Sequence, residues 1–188
     1  LRDGHEPRFL GENRLSLIAK DLAPTAPITY TARDGLTIHG YLTLPVGAAP
    51  QRLPTVLLVH GGPWARDRWG DGATSRAMQQ FLANRGYAVL QVNYRGSSGY
   101  GRNHMEKARG EFAGRMHDDL VDGVRWAVER GVADPQRVAI YGASYGGYAT
   151  MQGLVKDPDL YRCGVNLFGV TNLFYISSAD SWGDKARN

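Results

Sequence analysis

Residues 137–150, RVAIYGASYGGYAT, decide which fold this chain is expected to adopt. The apolar run at 137–142 predicts a buried strand, and residues 146–156 predict the helix that follows it. Between them, Gly142-Ala143-Ser144-Tyr145-Gly146 matches G-x-S-x-G, a sharp turn that lifts a serine hydroxyl above the end of a strand. Strand and helix approach so closely in such a turn that glycines must flank the serine. The pattern therefore predicts Ser144 as a nucleophile.

Backbone N–H groups near Ser144 are candidates for an oxyanion hole. A helix start presents free N–H groups and a positive dipole, so the Tyr145 N–H is expected to be one donor. His60-Gly61-Gly62-Pro63 follows an apolar run at 55–60 and should lie at the same edge of the sheet. Gly61 or Gly62 is the expected second donor, with Gly62 preferred, and His60 is expected to orient the loop. The alternative is a tight turn set by Pro63.

The rest of the chain alternates predicted strands and helices. Alternating apolar and polar residues on both sides of Asp34-Gly35 predict a hairpin. Further strands are predicted at 55–60, 87–94 and 163–170, and further helices at 75–86 and 117–131. This order predicts an α/β fold: a mostly parallel sheet with helices on both faces and the antiparallel hairpin at its N-terminal end. Residues 1–27 are expected to form an arm or linker, and Cys163, which begins a strand, is expected in the core.

A nucleophilic serine needs a base, and the sequence contains no histidine after Ser144. On this type of sheet the catalytic order is Ser, then Asp or Glu, then His, so the base is expected beyond this sequence. All the histidines precede the serine: His5, His39, His60, His104 and His117. His117 lies beside two aspartates at a helix start, where interaction with the helix dipole is a simpler explanation than metal binding. No zinc-ligand spacing occurs, so neither metal nor cofactor is expected.

The acidic residues after Ser144 give no clear catalytic partner. Asp157 and Asp159 flank Pro158 and are expected to be turn residues. Asp180 and Asp184 fall in the C-terminal tail, and none of the four is assigned as the triad acid.

Composition excludes several classes of protein. The 188 residues carry a net charge of +4, and the Lys and Arg residues are scattered, which argues against a nucleic-acid site. No apolar run approaches the length of a membrane span, so no membrane partner is expected. A single cysteine, Cys163, favours a reducing compartment such as the cytoplasm, although a processed secreted form remains an alternative. Many of the 24 glycines lie in short stretches, which indicates tight loops around a site.

Further motifs accompany the serine turn in a fixed order: ARDGLTIHGYLTLP (32–45), VLLVHGGPWARD (56–67), VLQVNYRGSSGYGR (89–102), DDLVDGVRWAVERGVADPQRVAIYGASYGGYAT (118–150) and GVNLFGVTNL (164–173). Together they resemble the catalytic domain of the prolyl oligopeptidase family of serine peptidases. The likeness covers about residues 28–175, and acylaminoacyl-peptidase and dipeptidyl-peptidase types are the most similar members.

The resemblance implies an α/β-hydrolase sheet and a peptidase that forms an acyl-enzyme on Ser144 from short peptides. It also implies that Tyr145 and the 60–63 loop supply oxyanion donors, and that the 93–102 loop lines the rim of the site. Members usually carry an N-terminal β-propeller, to which residues 1–27 would be joined. Their triad Asp and His lie on later strands, so residues 28–188 are interpreted as the N-terminal portion of the domain, inactive alone.

Other interpretations of the chain remain. One is a carboxylesterase-like α/β-hydrolase, since the same serine chemistry serves esters. Another is a non-catalytic fragment or binding module. A shortened chain that borrows its base from a partner subunit is a third, and homo-oligomer formation is left open.

Overall fold

The computed structural model describes residues 22–69 and 73–172, and a six-stranded sheet forms the centre of this part of the chain. The strands are β1 (Thr25–Thr31), β2 (Thr37–Thr43), β3 (Leu53–Val59), β4 (Ala88–Asn93), β5 (Ala133–Ala143) and β6 (Cys163–Leu167). Their spatial order is β1-β2-β4-β3-β5-β6. The strands β4, β3, β5 and β6 are parallel to one another. The strand β2 is antiparallel to both of its neighbours, β1 and β4. The predicted α/β architecture is therefore confirmed.

The hairpin of β1 and β2 turns at Asp34-Gly35, as the alternation predicts. Gly35 has a φ of +85°, which the turn requires and which glycine adopts without a steric penalty. The ladder extends from Thr31↔Thr37 to Thr25↔Thr43. The first strand therefore begins three residues before the alternating run that starts at residue 28.

The helices are α1 (Ala73–Ala83), α2 (Arg102–Glu106), α3 (Arg115–Glu129) and α4 (Tyr145–Lys156). The apolar stripe of α3 is buried as predicted, including Leu120 and Val124. It packs in one cluster with α4 residues, while Met78 and Leu82 of α1 pack in a second cluster with Leu58 and Val89. Because Leu57 and Leu58 point to opposite faces of β3 and enter different clusters, helices cover both faces of the sheet.

The prediction that Cys163 belongs to the core is wrong. Cys163 is exposed, and Val165 and Leu167 on the same side of β6 are exposed as well. Within the described residues β6 pairs only with β5, and only its other side, at Gly164, packs against α4. An apolar run identifies a strand, but the burial of the strand depends on what covers it.

Among the described residues, no helix has the length and apolar character needed to span a bilayer.

Candidate active site

The turn between β5 and α4 has the strained geometry that the G-x-S-x-G pattern requires. Ser144 has φ +56° and ψ −120°, a backbone conformation that residues with a Cβ rarely adopt. A Cβ on Gly142 would overlap the backbone of Gly146, and a Cβ on Gly146 would overlap the Val59 carbonyl. The two glycines therefore allow α4 to begin directly against β5 and β3, with the serine at the apex.

The backbone amides around Ser144 divide into occupied and free donors. The Ser144 N–H donates to the Leu167 carbonyl over 3.1 Å, and the Tyr148 N–H donates to the Ser144 carbonyl, which begins the helical ladder. Tyr145 is the first residue of α4, and within the described residues its N–H donates to no acceptor. The Tyr145 N–H is thus available to an oxyanion, at the positive end of the helix dipole.

The 60–63 loop lies directly beside the serine. A Cβ built on Gly61 would be 3.3 Å from Ser144 Cβ and 3.8 Å from Ser144 Oγ. Gly62 has φ +124°, and a Cβ there would come within 2.7 Å of the backbone nitrogens of Trp64 and Ala65. The structure therefore brings together the two segments that carry the predicted oxyanion donors, Tyr145 and the 60–63 loop.

His60 holds this loop through both of its ring nitrogens. Nδ1 lies 2.8 Å from the Gly61 carbonyl oxygen, and Nε2 lies 3.0 Å from Ser97 Oγ. The ring stacks on Tyr94 at 4.4 Å, and the Tyr94 hydroxyl donates to the His60 carbonyl over 2.9 Å. Burial lowers the pKa of His60, although Asp67 and the Gly61 carbonyl oppose the shift, so the neutral ring is favoured. Because a carbonyl only accepts, Nδ1 carries the proton and Nε2 accepts from Ser97.

Arg95 anchors the loop that supports His60. Its buried guanidinium donates to Asp119 over 2.8 and 2.7 Å and to Asp34 over 2.8 and 3.0 Å. The Arg95 N–H also donates to Asp119, over 2.8 Å. Hydrogen bonds from Arg95 lower the pKa of Asp34 to about 2, whereas burial raises the pKa of Asp119 against the opposing effect of Arg95. The hairpin turn, α3 and the loop after β4 are thereby joined at one cation.

The supporting roles of Tyr94, Arg95 and Ser97 were not anticipated from the sequence, which predicted only that residues 93–102 line the rim. Their glycine-rich motif was the available signal. Their partners are far away along the chain: Asp34 lies 61 residues before Arg95, and His60 lies 37 residues before Ser97.

Within the described part of the chain, no histidine hydrogen-bonds to Ser144. His39 stacks on Tyr100, and the His104 ring contacts the Tyr94 carbonyl at 3.1 Å. His117 is buried, and its Nε2 lies 2.6 Å from Asp157 Oδ2. Interaction with the dipole of α3, which the sequence predicted for His117, is therefore not its only contact. Asp157 caps the far end of α4, about 18 Å of helix away from Ser144, so this pair is not the catalytic one.

Two of the other acidic candidates, Asp180 and Asp184, lie outside the described residues, as does His5. Among residues 22–69 and 73–172, no group of three or more His, Cys, Asp or Glu side chains is placed to hold a metal ion.

Comparison with known proteins agrees with this geometry. The model of the prolyl oligopeptidase family matches residues 73–186. A dipeptidyl aminopeptidase BIII from Pseudoxanthomonas mexicana is 51% identical over 167 residues, which cover 85% of this chain and 24% of that protein. This chain belongs to the prolyl oligopeptidase family.

Solved structures of similar proteins extend the comparison. The crystal structure of puromycin hydrolase superposes with a TM-score of 0.77 at 32% identity, covering 86% of this chain and 24% of that one. An acylaminoacyl peptidase in complex with Z-Gly-Gly-Phe-chloromethyl ketone superposes with a TM-score of 0.75 at 26% identity, covering 87% of this chain and 26% of the other. This chain thus spans about a quarter of the length of these relatives, and it shares the α/β-hydrolase peptidase fold with the two solved structures.

Proposed function

We propose that the full-length protein is a serine peptidase that cleaves short peptides through an acyl-enzyme on Ser144. The observation that carries the proposal is the strained elbow, in which Ser144 stands between a free helix-start N–H at Tyr145 and the Gly61-Gly62 loop. Family membership and the peptidase names of the relatives support it. The Lys and Arg residues are scattered along the sequence, and peptides rather than nucleic acids are the proposed partners.

In the proposed mechanism, Ser144 Oγ attacks the scissile carbonyl carbon. A histidine outside the described residues accepts the Oγ proton and then donates it to the leaving amine. The N–H groups of Tyr145 and Gly62 stabilise the negative charge that develops on the carbonyl oxygen. Water then attacks the acyl-enzyme, the same histidine assists, and the carboxylic acid is released. No step of this sequence requires a metal or cofactor.

The experiment compares an aminoacyl-anilide with a p-nitrophenyl ester as substrates of the full-length protein, alongside its Ser144→Ala variant. We expect hydrolysis of the anilide and a loss of about 10⁶-fold in the variant, as in other serine peptidases. Ester cleavage without anilide cleavage would make the protein a carboxylesterase. Equal labelling of both proteins by a fluorophosphonate would remove Ser144 as the nucleophile.

The single cysteine, Cys163, is the basis for proposing a reducing compartment such as the cytoplasm.

A further inference from the structure

An open groove lies between the outer strand of the sheet and helix α3. Its volume is about 510 Å³, within the range of ligand-binding clefts. Residues 29–31 of β1 form one wall, and α3 forms the other with Arg125, Trp126, Glu129 and Arg130. The strand β1 lies four places from β5 in the sheet, which is about 19 Å at the usual strand spacing. The groove is therefore separate from the candidate active site.

The outer edge of β1 carries backbone groups that no strand occupies within the described residues. At the hairpin turn the Ala32 N–H donates to the Leu36 carbonyl over 2.8 Å. Residues that bond to the partner strand alternate with residues that face away from it, so Thr29 and Thr31 direct their N–H and C=O groups outward. Pro27 also faces outward but has no N–H to donate. The free edge at residues 29–31 can therefore pair with one more strand.

The opposite wall carries positive charge that is not neutralised. Arg125 and Arg130 are exposed, and neither forms an ion pair within the described residues. The other lining cation and carboxylate, Arg33 and Asp122, bind each other over 2.7 Å. Glu129 is then the only lining carboxylate without an ion pair in the described part of the chain. Two unpaired guanidinium groups against one carboxylate favour an acidic ligand.

The side chains on this side of the sheet indicate how such a ligand would be arranged. Side chains of a strand alternate between the two faces of a sheet, so an added strand would direct every second side chain towards α3. Trp126 is half-buried there: its ring centroid lies 6.2 Å from that of Tyr30 and 5.0 Å from the guanidinium carbon of Arg130. A segment that fits the groove therefore carries acidic side chains at alternate positions, beside an indole ring that its aliphatic parts can contact.

We propose that this groove binds an extended, acidic segment of another polypeptide, which adds to β1 as a new outer strand and directs its carboxylates to Arg125 and Arg130. The proposal concerns docking and does not depend on the chemistry at Ser144. A second copy of this chain is a poorer occupant, because antiparallel pairing of two β1 strands would bring the same unpaired Arg side chains of both copies together.

The test measures peptide binding by fluorescence anisotropy. The full-length protein carries Ser144→Ala, so that the peptides are not cleaved. The probes are three fluorescein-labelled hexapeptides, amidated at the C-terminus, in which Val alternates with Glu, Gln or Lys. Arg125→Glu and Arg130→Glu each reverse one charge of the groove. Arg85→Glu is the matched control, because Arg85 also lies over an aromatic ring, that of Phe81, but on α1, which covers the other face of the sheet.

A second pair of variants tests the strand pairing. Thr29→Pro removes an outward N–H that β2 does not use, and Pro27 shows that β1 accepts proline at such a position. Thr29→Val keeps the N–H and removes only the hydroxyl. Thr29→Pro should raise the Kd of the Glu and Gln peptides alike, by about 2- to 13-fold, as expected for one lost hydrogen bond. Thr29→Val should change neither Kd by more than about twofold.

We expect the Glu peptide to bind most tightly and the Lys peptide least. Arg125→Glu and Arg130→Glu should each raise the Kd of the Glu peptide about 2- to 30-fold and lower that of the Lys peptide, since an exposed attraction is replaced by a repulsion. Arg85→Glu should leave both within about twofold. Equal effects of Arg85→Glu and Arg130→Glu would assign the preference to net charge and overturn the groove. Dimerisation that Thr29→Pro abolishes, measured by analytical ultracentrifugation, would overturn the proposal in favour of a second copy.

Discussion

Replacing His60 should slow catalysis without weakening substrate binding. In a trans peptide unit the C=O and the N–H point in opposite directions. The Gly61 carbonyl and the Gly62 N–H belong to one such unit, and His60 Nδ1 holds the carbonyl at 2.8 Å. The N–H of Gly62 is thereby directed away from His60, and the loop lies against Ser144. His60 is therefore expected to act as a positioning residue for the second oxyanion donor.

The size of the effect follows from two limits. A hydrogen bond between neutral groups contributes about 0.5–1.5 kcal/mol, so losing the Nδ1 contact frees the Gly61-Gly62 peptide unit at a cost of about 2- to 13-fold in rate. Complete loss of one oxyanion donor costs about 100- to 1,000-fold. His60→Leu should therefore lower kcat by more than about twofold and by at most about 1,000-fold. KM should stay nearly constant, because the oxyanion forms only in the transition state.

His60→Asn is the matched variant, since its amide nitrogen can donate from about the position of Nδ1. Steady-state kinetics of the full-length protein should show kcat of His60→Asn recovering toward that of the unmodified protein. Thermal unfolding of both variants controls for the lost stacking on Tyr94. The reasoning fails if His60→Leu keeps kcat within twofold, or if its loss appears in KM instead.

Two further predictions concern the Arg95 anchor. Asp119→Ala leaves the buried Arg95 cation with one carboxylate fewer and should lower the free energy of unfolding by about 3–5 kcal/mol. Asp118→Ala is the control, because it removes only a partly exposed contact to Arg33 and should lower the free energy of unfolding by about 0–1 kcal/mol. Urea unfolding of the two variants measures the difference. The pKa of Asp34, about 2, lies below the usual value near 4, so its contribution to stability is present above pH ~4 and is lost as the pH falls toward ~2. Unfolding measured across that range should be less pH-dependent in Asp34→Asn, and an unchanged slope would show that Arg95 does not hold this carboxylate.

The serine turn could be predicted from sequence because its demands are local. Gly142, Ser144 and Gly146 are close in sequence and in space, so their spacing alone encodes the steric requirement. The short helix α2 could not be predicted, since its five residues carry no apolar periodicity. It is held instead by contacts with the loop that precedes it, including His104 to the Tyr94 carbonyl and the Gly96 N–H to the His104 carbonyl.

Burial was the other feature that the sequence could not supply. Cys163 and Val165 lie in an apolar run like that of β3, yet β3 has strands on both sides and β6 has one within the described residues. The apolar run specifies that a strand forms, whereas the elements that pack beside the strand determine whether its side chains are buried.

The contacts of His60 indicate why the 60–63 loop, which carries the proposed oxyanion donor, needs a second loop to support it. Glycine lowers the cost of the unusual backbone at Gly62, but it also leaves the loop with many other conformations. Tyr94 and Ser97 restrict His60 from two sides, and Arg95 fixes that pair to α3 and to the hairpin. All of these residues lie before Ser144 in the chain. The proposed oxyanion donor at Gly62 is therefore held by residues other than the proposed histidine base, and substitutions in this network should change kcat without shifting the pKa that the base shows in the pH–rate profile.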